Sequence, residues 1–232
     1  MLATALFVAL ACPVEPNFGT LGTPGYRLES RANDPRSPYQ PQPGDVLLFS
    51  DTNLFWASLY AIALTGKPGH GGIVVRMADG RLGVFESGYN DTLVTQVTPL
   101  ERRLAEYRGS VWVRTRSVPL TDEQSRLLSE FAAAADPGYA LLRFGLQITP
   151  FRSRGPIRTA FFGKPIGIGR RYHCASAVLE AAVYAGLLPA DTTRPWATYP
   201  RDLFFDRSSN RYVDRHLDLR AAGWEPPARW RP

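Results

Sequence analysis

Five of the 232 residues could carry thiol or imidazole chemistry: Cys12, Cys174, His70, His173 and His216. Two cysteines build neither a disulfide scaffold nor a four-thiolate zinc or iron–sulfur site, so no metal and no cofactor is expected. A reactive thiol must ionise, and a helix N-terminus with cationic neighbours favours that. Cys174 fits this description. It follows Gly167-Ile168-Gly169-Arg170-Arg171 and opens an alanine-rich helical stretch, Tyr172 to Tyr184, with Gly186 as its stop. Two other readings stand beside it: a small buried hydrophobe, as most free cysteines are, and a Cys12–Cys174 disulfide.

A nucleophilic thiol needs a base. His173 is adjacent to Cys174, and neighbouring side chains on a helix diverge by about 100°, so it is not expected to face the thiol. The same divergence disfavours a zinc site made of His70, His173 and Cys174. His216 lies in the charged stretch VDRHLDLR and reads as surface. By elimination the base candidate is His70, which stands between Gly69 and Gly71 at the start of a strand-like run, HGGIVVRM. The alternative is a structural histidine.

An orienting group for that base follows from strand register. HGGIVVRM and RLGVFES flank Ala78-Asp79-Gly80, a hairpin signal. With a three-residue loop, Met77 faces Arg81, His70 faces Gly88, and Glu86 becomes a diagonal neighbour of His70. A two-residue Asp79-Gly80 turn flips the parity and puts Ser87 or Tyr89 on the His70 face. Glu86 interrupts an apolar strand, which favours the first register over a solvent-facing glutamate.

The elements that must hold these residues are an α+β set. Gly44-Asp45 leads into a buried strand, Val46–Phe49, and Ser110–Thr115 is another. Thr121 to Gln124 forms a capping box that opens an amphipathic helix reaching Ala135. Asn53 to Leu64 has helical length. Residues 137–171 read as a long, partly ordered loop, and loops of that length are often functional. The expected architecture is an antiparallel sheet packed against helices. Hydrophobic residues at 44% and charged residues at 21% exclude wholesale disorder and coiled coil.

The net charge of +6 comes with 25 arginines and only two lysines, Lys67 and Lys164. Arginines scattered without a basic run point to composition rather than a binding face, so no nucleic-acid partner is expected. Met1 to Ala11 has the length of a signal-peptide core and ends in Ala9-Leu10-Ala11, a small-x-small cleavage site. Cys12 follows, as in a bacterial lipoprotein, although the positive n-region is missing and Leu10 departs from the usual pattern. Seven prolines between Pro13 and Pro43 describe an extended tether over residues 12–42. The expected plan is export to the periplasm or cell envelope with membrane association through Cys12. A catalytic domain would span 43–206 and a surface-wrapping extension 207–232, in a monomer.

Taken in chain order, Gly44-Asp45-Val46-Leu47-Leu48-Phe49, Gly69-His70-Gly71-Gly72-Ile73-Val74-Val75, Val84-Phe85-Glu86-Ser87 and Tyr172-His173-Cys174-Ala175-Ser176-Ala177-Val178 resemble the permuted papain-like enzymes of the NlpC superfamily. The similarity is to the YiiX/YaeF-like branch. It spans roughly residues 43–206 and implies a circularly permuted papain-like fold, with Cys174 as nucleophile, His70 as base and Glu86 as orienter. Amides at the start of the Cys174 helix, with Tyr172 and Gly71, would serve the oxyanion or substrate. One departure is Ala175 after Cys174, with the serine at 176. The pocket walls would come from residues 137–171 and from Phe55, Trp56 and Tyr60. The implied function is a cell-envelope cysteine hydrolase that cleaves an amide of cell-wall peptide or an N-acyl amide through an acyl-enzyme. The alternatives are a lipid acyltransferase or thioesterase of the lecithin retinol acyltransferase type, in which a second histidine usually stands at the place of Glu86, and a non-catalytic envelope binding module.

Overall fold

The structure is a computed structural model that describes residues 17–29, 34–50, 58, 61–62, 65–88, 92–147 and 155–232. The signal-peptide segment, Cys12, Phe55, Trp56, Tyr60 and Tyr89 lie outside the described residues.

Among the described residues, eight strands form one antiparallel sheet. In chain order they are β1 (Thr20–Leu21), β2 (Ser37–Pro38), β3 (Val46–Ser50), β4 (His70–Arg76), β5 (Leu82–Ser87), β6 (Thr95–Pro99), β7 (Ser110–Arg114) and β8 (Ala228–Arg231), and their spatial order is β2-β1-β8-β7-β3-β4-β5-β6. The central strand β3, VLLFS, is buried throughout because both faces of the sheet are covered. On one face Val46, Leu48, Ile73, Val75, Phe85 and Trp112 pack beneath two helices, α2 (Asp122–Ala134) and α5 (Cys174–Tyr184). On the other, Leu47, Phe49, Val74, Val84, Val111 and Val113 pack beneath Leu100 and Leu104 of α1 (Leu100–Glu106). Among the described residues four further helices follow: α3 (Leu141–Gln147), α4 (Pro156–Phe162) and, ahead of β8, α6 (Pro200–Phe205) and α7 (Arg211–His216).

The predicted strands and the two longer helices are present, and the Thr121 capping box forms in both directions, with Gln124 N donating to Thr121 Oγ1 and Thr121 N donating to Gln124 Oε1. The β4–β5 hairpin takes the three-residue register. Met77 N donates to Arg81 O at 2.8 Å, and Gly72 stands opposite Glu86. Asp45 ends the loop before β3 with no exposure, accepting from Gln42 N, Arg116 N and the Tyr39 hydroxyl. Burial pushes its carboxyl up to about 7 against the pull of those donors.

Three expectations need correction. The described part of the 12–42 segment is not a free tether: Thr20–Leu21 and Ser37–Pro38 are sheet strands, and Tyr39 is buried. Pro38 is tolerated because β2 is the edge strand, where a missing donor costs no ladder bond. The 207–232 extension does not merely wrap the surface. Its β8 pairs with both β1 and β7, and Trp224 is buried with Nε1 donating to Gly44 O at 2.7 Å. Residues 137–171 contain two short helices, α3 and α4, where Gly and Pro content argued for a loop. Pro156 stands at the first helical position of α4, which needs no donor.

The hairpin depends on a glycine. A Cβ on Gly72 would lie 2.6 Å from Val84 Cγ1, 3.0 Å from Phe85 O and 3.2 Å from Glu86 Cβ. Replacing Gly72 by Ala is expected to destabilise the protein by roughly 1–3 kcal/mol through overpacking, read as a lower urea midpoint with an unchanged m value.

Candidate active site

Register builds the first half of the site. His70 opens β4 opposite Phe49 of β3, with ring centroids 5.6 Å apart, and this places it on the α1 side of the sheet. Gly72, two residues along that face, stands opposite Glu86, so the imidazole and the carboxylate are diagonal neighbours. They meet: His70 Nε2 is 2.7 Å from Glu86 Oε2. Each has a glycine near its direct opposite, Gly88 for His70 and Gly72 for Glu86. Gly88 has φ +96°, and a Cβ there would come within 3.7 Å of His70 Cε1.

Glu86 is completely buried. An unpaired carboxylate there would cost several kcal/mol, and Arg103 of α1 supplies the counter-charge. Its Nε lies 2.7 Å from Glu86 Oε1, and its Nη2 donates to Oε2 at 2.9 Å. The guanidinium lies against an edge-on pair of aromatic rings, 4.4 Å from the Phe49 ring centre and 4.9 Å from that of Tyr107.

The thiol arrives from the opposite face. Cys174 is the first residue of α5, and its Sγ lies 3.8 Å from Gly69 O, at the very start of β4, where the end of the sheet lets the two faces meet. Cys174 and His70 hydrogen bond there. Because Glu86 occupies Nε2, the imidazole nitrogen left for sulfur is Nδ1. Burial pushes the thiol up, but hydrogen bonds from His173 and His70 and their charges bring it down to about 6. Burial pushes His70 down, and hydrogen bonds and negative charge from Cys174 and Glu86 raise it to about 9. With the thiol below the imidazole, thiolate and imidazolium is the resting form between those values.

His173 corrects an expectation. The divergence of adjacent helical side chains does not apply to it, because it is the N-cap, with φ −105° and ψ 169°, and its ring hydrogen bonds to Cys174. Its Nδ1 accepts from Ser176 N at 3.3 Å, so that nitrogen is not open to act as a base. Ser176 Oγ completes the box by accepting from His173 N at 2.9 Å, which gives the displaced serine a capping role. The cap leaves the amides of Cys174 and Ala175 as first-turn donors without intrahelical partners.

The other two site candidates, Tyr172 and Gly71, have contacts of their own. The Tyr172 hydroxyl donates to Gly167 O at 2.6 Å and accepts from Arg170 N, so its one proton is directed into the preceding loop. Gly71 packs in mid-sheet against Leu48, one residue out of phase with His70. His216 is exposed and stacked on Tyr212, as a surface histidine. Glu86, Cys174 and His70 are therefore assembled, with Arg103 and His173 as additions that sequence reasoning missed. Arg103 carried a faint signal, since it shares a helical stripe with Leu100 and Leu104. So did Glu180, the sole charge in the helix CASAVLEAAVY. Its buried carboxylate accepts from Ile166 N, Gly167 N and Trp196 Nε1, and Trp196 stands edge-on to His173 at 5.1 Å. Among the described residues, no group of three His, Cys, Asp or Glu side chains is arranged to hold a metal ion.

No family model matches the chain. No curated protein matches it either. Among solved structures it is similar to the crystal structure of the metalloprotein YiiX from Escherichia coli O157:H7, at 19% sequence identity and a TM-score of 0.40, over 68% of this chain and 79% of that one.

Two outcomes follow from this geometry. Alkylation of Cys174 by iodoacetamide is expected to rise with pH through about 6, and His70→Ala should move that midpoint upward toward an ordinary thiol near 8.5. Arg103→Met should cost about 3–5 kcal/mol in denaturant unfolding by stranding Glu86. Adding Glu86→Leu should recover most of that stability without restoring the low-pH reactivity of the thiol.

Proposed function

We propose that the protein is a cysteine hydrolase of permuted papain-like type, with Cys174 as nucleophile, His70 as acid and base, and Glu86 as orienter. The observation that carries this reading is the line of contacts from buried Arg103 through Glu86 to His70 Nε2, with the Cys174 thiol at the other side of the ring. A structural histidine does not need a buried ion pair to fix its tautomer, whereas a base in acyl transfer does.

The reaction is acyl transfer to water. The Cys174 thiolate attacks the carbonyl carbon, and the oxygen gains negative charge against the Cys174 and Ala175 amides at the head of α5. The carbon–nitrogen bond then breaks as His70 gives its Nδ1 proton to the departing amine. The neutral imidazole takes a proton from water, hydroxide adds to the thioester, and the acid leaves as the thiolate and imidazolium re-form.

The proposed substrate is an amide, of cell-wall peptide or of an N-acyl amine, met in the cell envelope after export. The reason is protonation. An amine leaves only when protonated, and an imidazolium raised to about 9 keeps that proton at neutral pH. An ester makes no such demand.

Chromogenic peptide amides and N-acyl amides, tried side by side with esters, test the assignment. The expected kcat/KM profile is a plateau bounded by limbs near pH 6 and pH 9, the first from the thiol and the second from the imidazole. Cys174→Ala should abolish turnover, and His70→Ala should lower it by about 10²–10⁴-fold. Rapid quenching and mass spectrometry should find the acyl group on the Cys174 peptide. Hydrolysis retained in Cys174→Ala would sink the mechanism.

A further inference from the structure

The distribution of charge contradicts the view of arginines scattered evenly. Residues 141–171 contain seven of the 27 basic residues and none of the 21 acidic ones, which leaves the rest of the chain with 20 basic residues against 21 acidic. The whole positive excess of the protein therefore lies in one segment. Five of those cations fall among the described residues: Arg143, Arg158, Lys164, Arg170 and Arg171.

The same segment holds the most exposed large apolar side chains of the described fold. Leu142 of α3 is 80% exposed, and on α4 Ile157, Phe161 and Phe162 are 74%, 71% and 69% exposed. Leu141 and Leu146 of α3 are exposed as well. Side chains of this size, clustered on two consecutive short helices, are not the scattered surface leucines of an ordinary globular protein.

Both helices are fastened to the rim of the site. Ala140 N, just before α3, donates to Tyr172 O at 3.0 Å, and the Arg143 guanidinium lies 4.3 Å above the Trp196 ring. At the end of α4, Gly163 O accepts from Trp196 N at 3.3 Å. Trp196 in turn abuts His173, the neighbour of Cys174. The apolar helices and their cations thus flank the same tryptophan beside the thiol.

We infer that α3 and α4 form a docking surface for a lipid bilayer containing anionic headgroups, which seats the protein with the Cys174 end toward the membrane. Apolar side chains enter the headgroup–acyl boundary while surrounding cations meet the anionic headgroups; this is the chemistry of a peripheral helix that lies on a membrane. No helix among the described residues is long and apolar enough to cross one. The excess of cations with no acidic residue decides between occupants. A second copy would bring the same positive segment and repel, and a soluble protein partner would not need Phe and Leu at this exposure in a segment that carries no acidic residue of its own. The inference is independent of the chemistry at Cys174, since it concerns adhesion alone.

The test uses the full chain carrying Cys12→Ser in every arm, so that no lipid anchor contributes. Co-sedimentation is measured on phosphatidylcholine vesicles with and without phosphatidylglycerol. The parent is expected to partition at least about tenfold better onto the anionic vesicles, and Ile157→Ser/Phe161→Ser/Phe162→Ser to lose about tenfold or more of that binding. Arg158→Gln/Lys164→Gln should reduce the preference for anionic vesicles, as should added salt in the parent. Circular dichroism and Cys174 alkylation without vesicles should match the parent, because the replaced apolar groups face water; Phe162→Ser alone carries the test if the triple variant does not fold. Equal binding by the parent and the serine variants overturns the inference, as does a parent indifferent to phosphatidylglycerol. So does binding to nucleic acid without binding to vesicles, or a dimer abolished by the serine changes when vesicles are not bound.

Discussion

A carboxylate inside a sheet, with apolar strands on either side, is tolerable only when its charge is answered at close range, and the Arg103 guanidinium does this for Glu86. From that pair outward the charges alternate: guanidinium, carboxylate, imidazolium, thiolate. Each member stabilises the next, and the line as a whole is neutral. This explains how four ionisable groups share a region almost closed to solvent, with His70 only 17% exposed in its side chain and Cys174 8%. It also sets a direction. Arg103 and Glu86 are fully enclosed, so the groups that can meet a substrate are the two at the open end.

The sheet brings the site together by being interrupted in the right places. His70 and Glu86 share the α1 face, whereas α5 packs on the other, and a thiol on α5 could not reach an imidazole in mid-strand. At the first residue of β4 the barrier ends. Cys174 over Gly69 O uses that edge, and the glycines at 72 and 88 leave the room through which the diagonal His70–Glu86 contact passes. The site is consequently as sensitive to small residues in its hairpin as to the reactive residues themselves.

Much of this was legible from residues alone. The rarity of cysteine and histidine narrowed the reactive set, the Ala78-Asp79-Gly80 loop set the strand parity, and parity placed Glu86 beside His70. What stayed hidden arose from packing across long separations. Arg103 belongs to a helix between two strands with no motif of its own, and its burial depends on Phe49 and Tyr107 closing around it. His173 escapes the helical rule because it is the N-cap, one residue outside the first turn. Short strands at residues 20–21 and 37–38 have too few residues for any periodicity to show, so they read as coil until their partners are known. The direction of the Tyr172 hydroxyl, into the Gly167 loop, is set by packing that its place in the sequence does not show.

The sheet order separates two kinds of neighbour. β7-β3-β4-β5-β6 is assembled from residues 46 to 114, with only one pairing, β3 to β7, that skips strands. Beyond β7 the next partner is Ala228–Arg231, more than a hundred residues away, and β1 then joins only through it. Closing so large a loop costs chain entropy that the pairings within residues 46–114 do not, which favours forming the five-strand half before β8. With β8 unseated, β7 would present an open edge of the kind that pairs with other chains. The β4–β5 hairpin is separated from that seam by β7 and β3, so local opening at β8 leaves His70 and Glu86 in register.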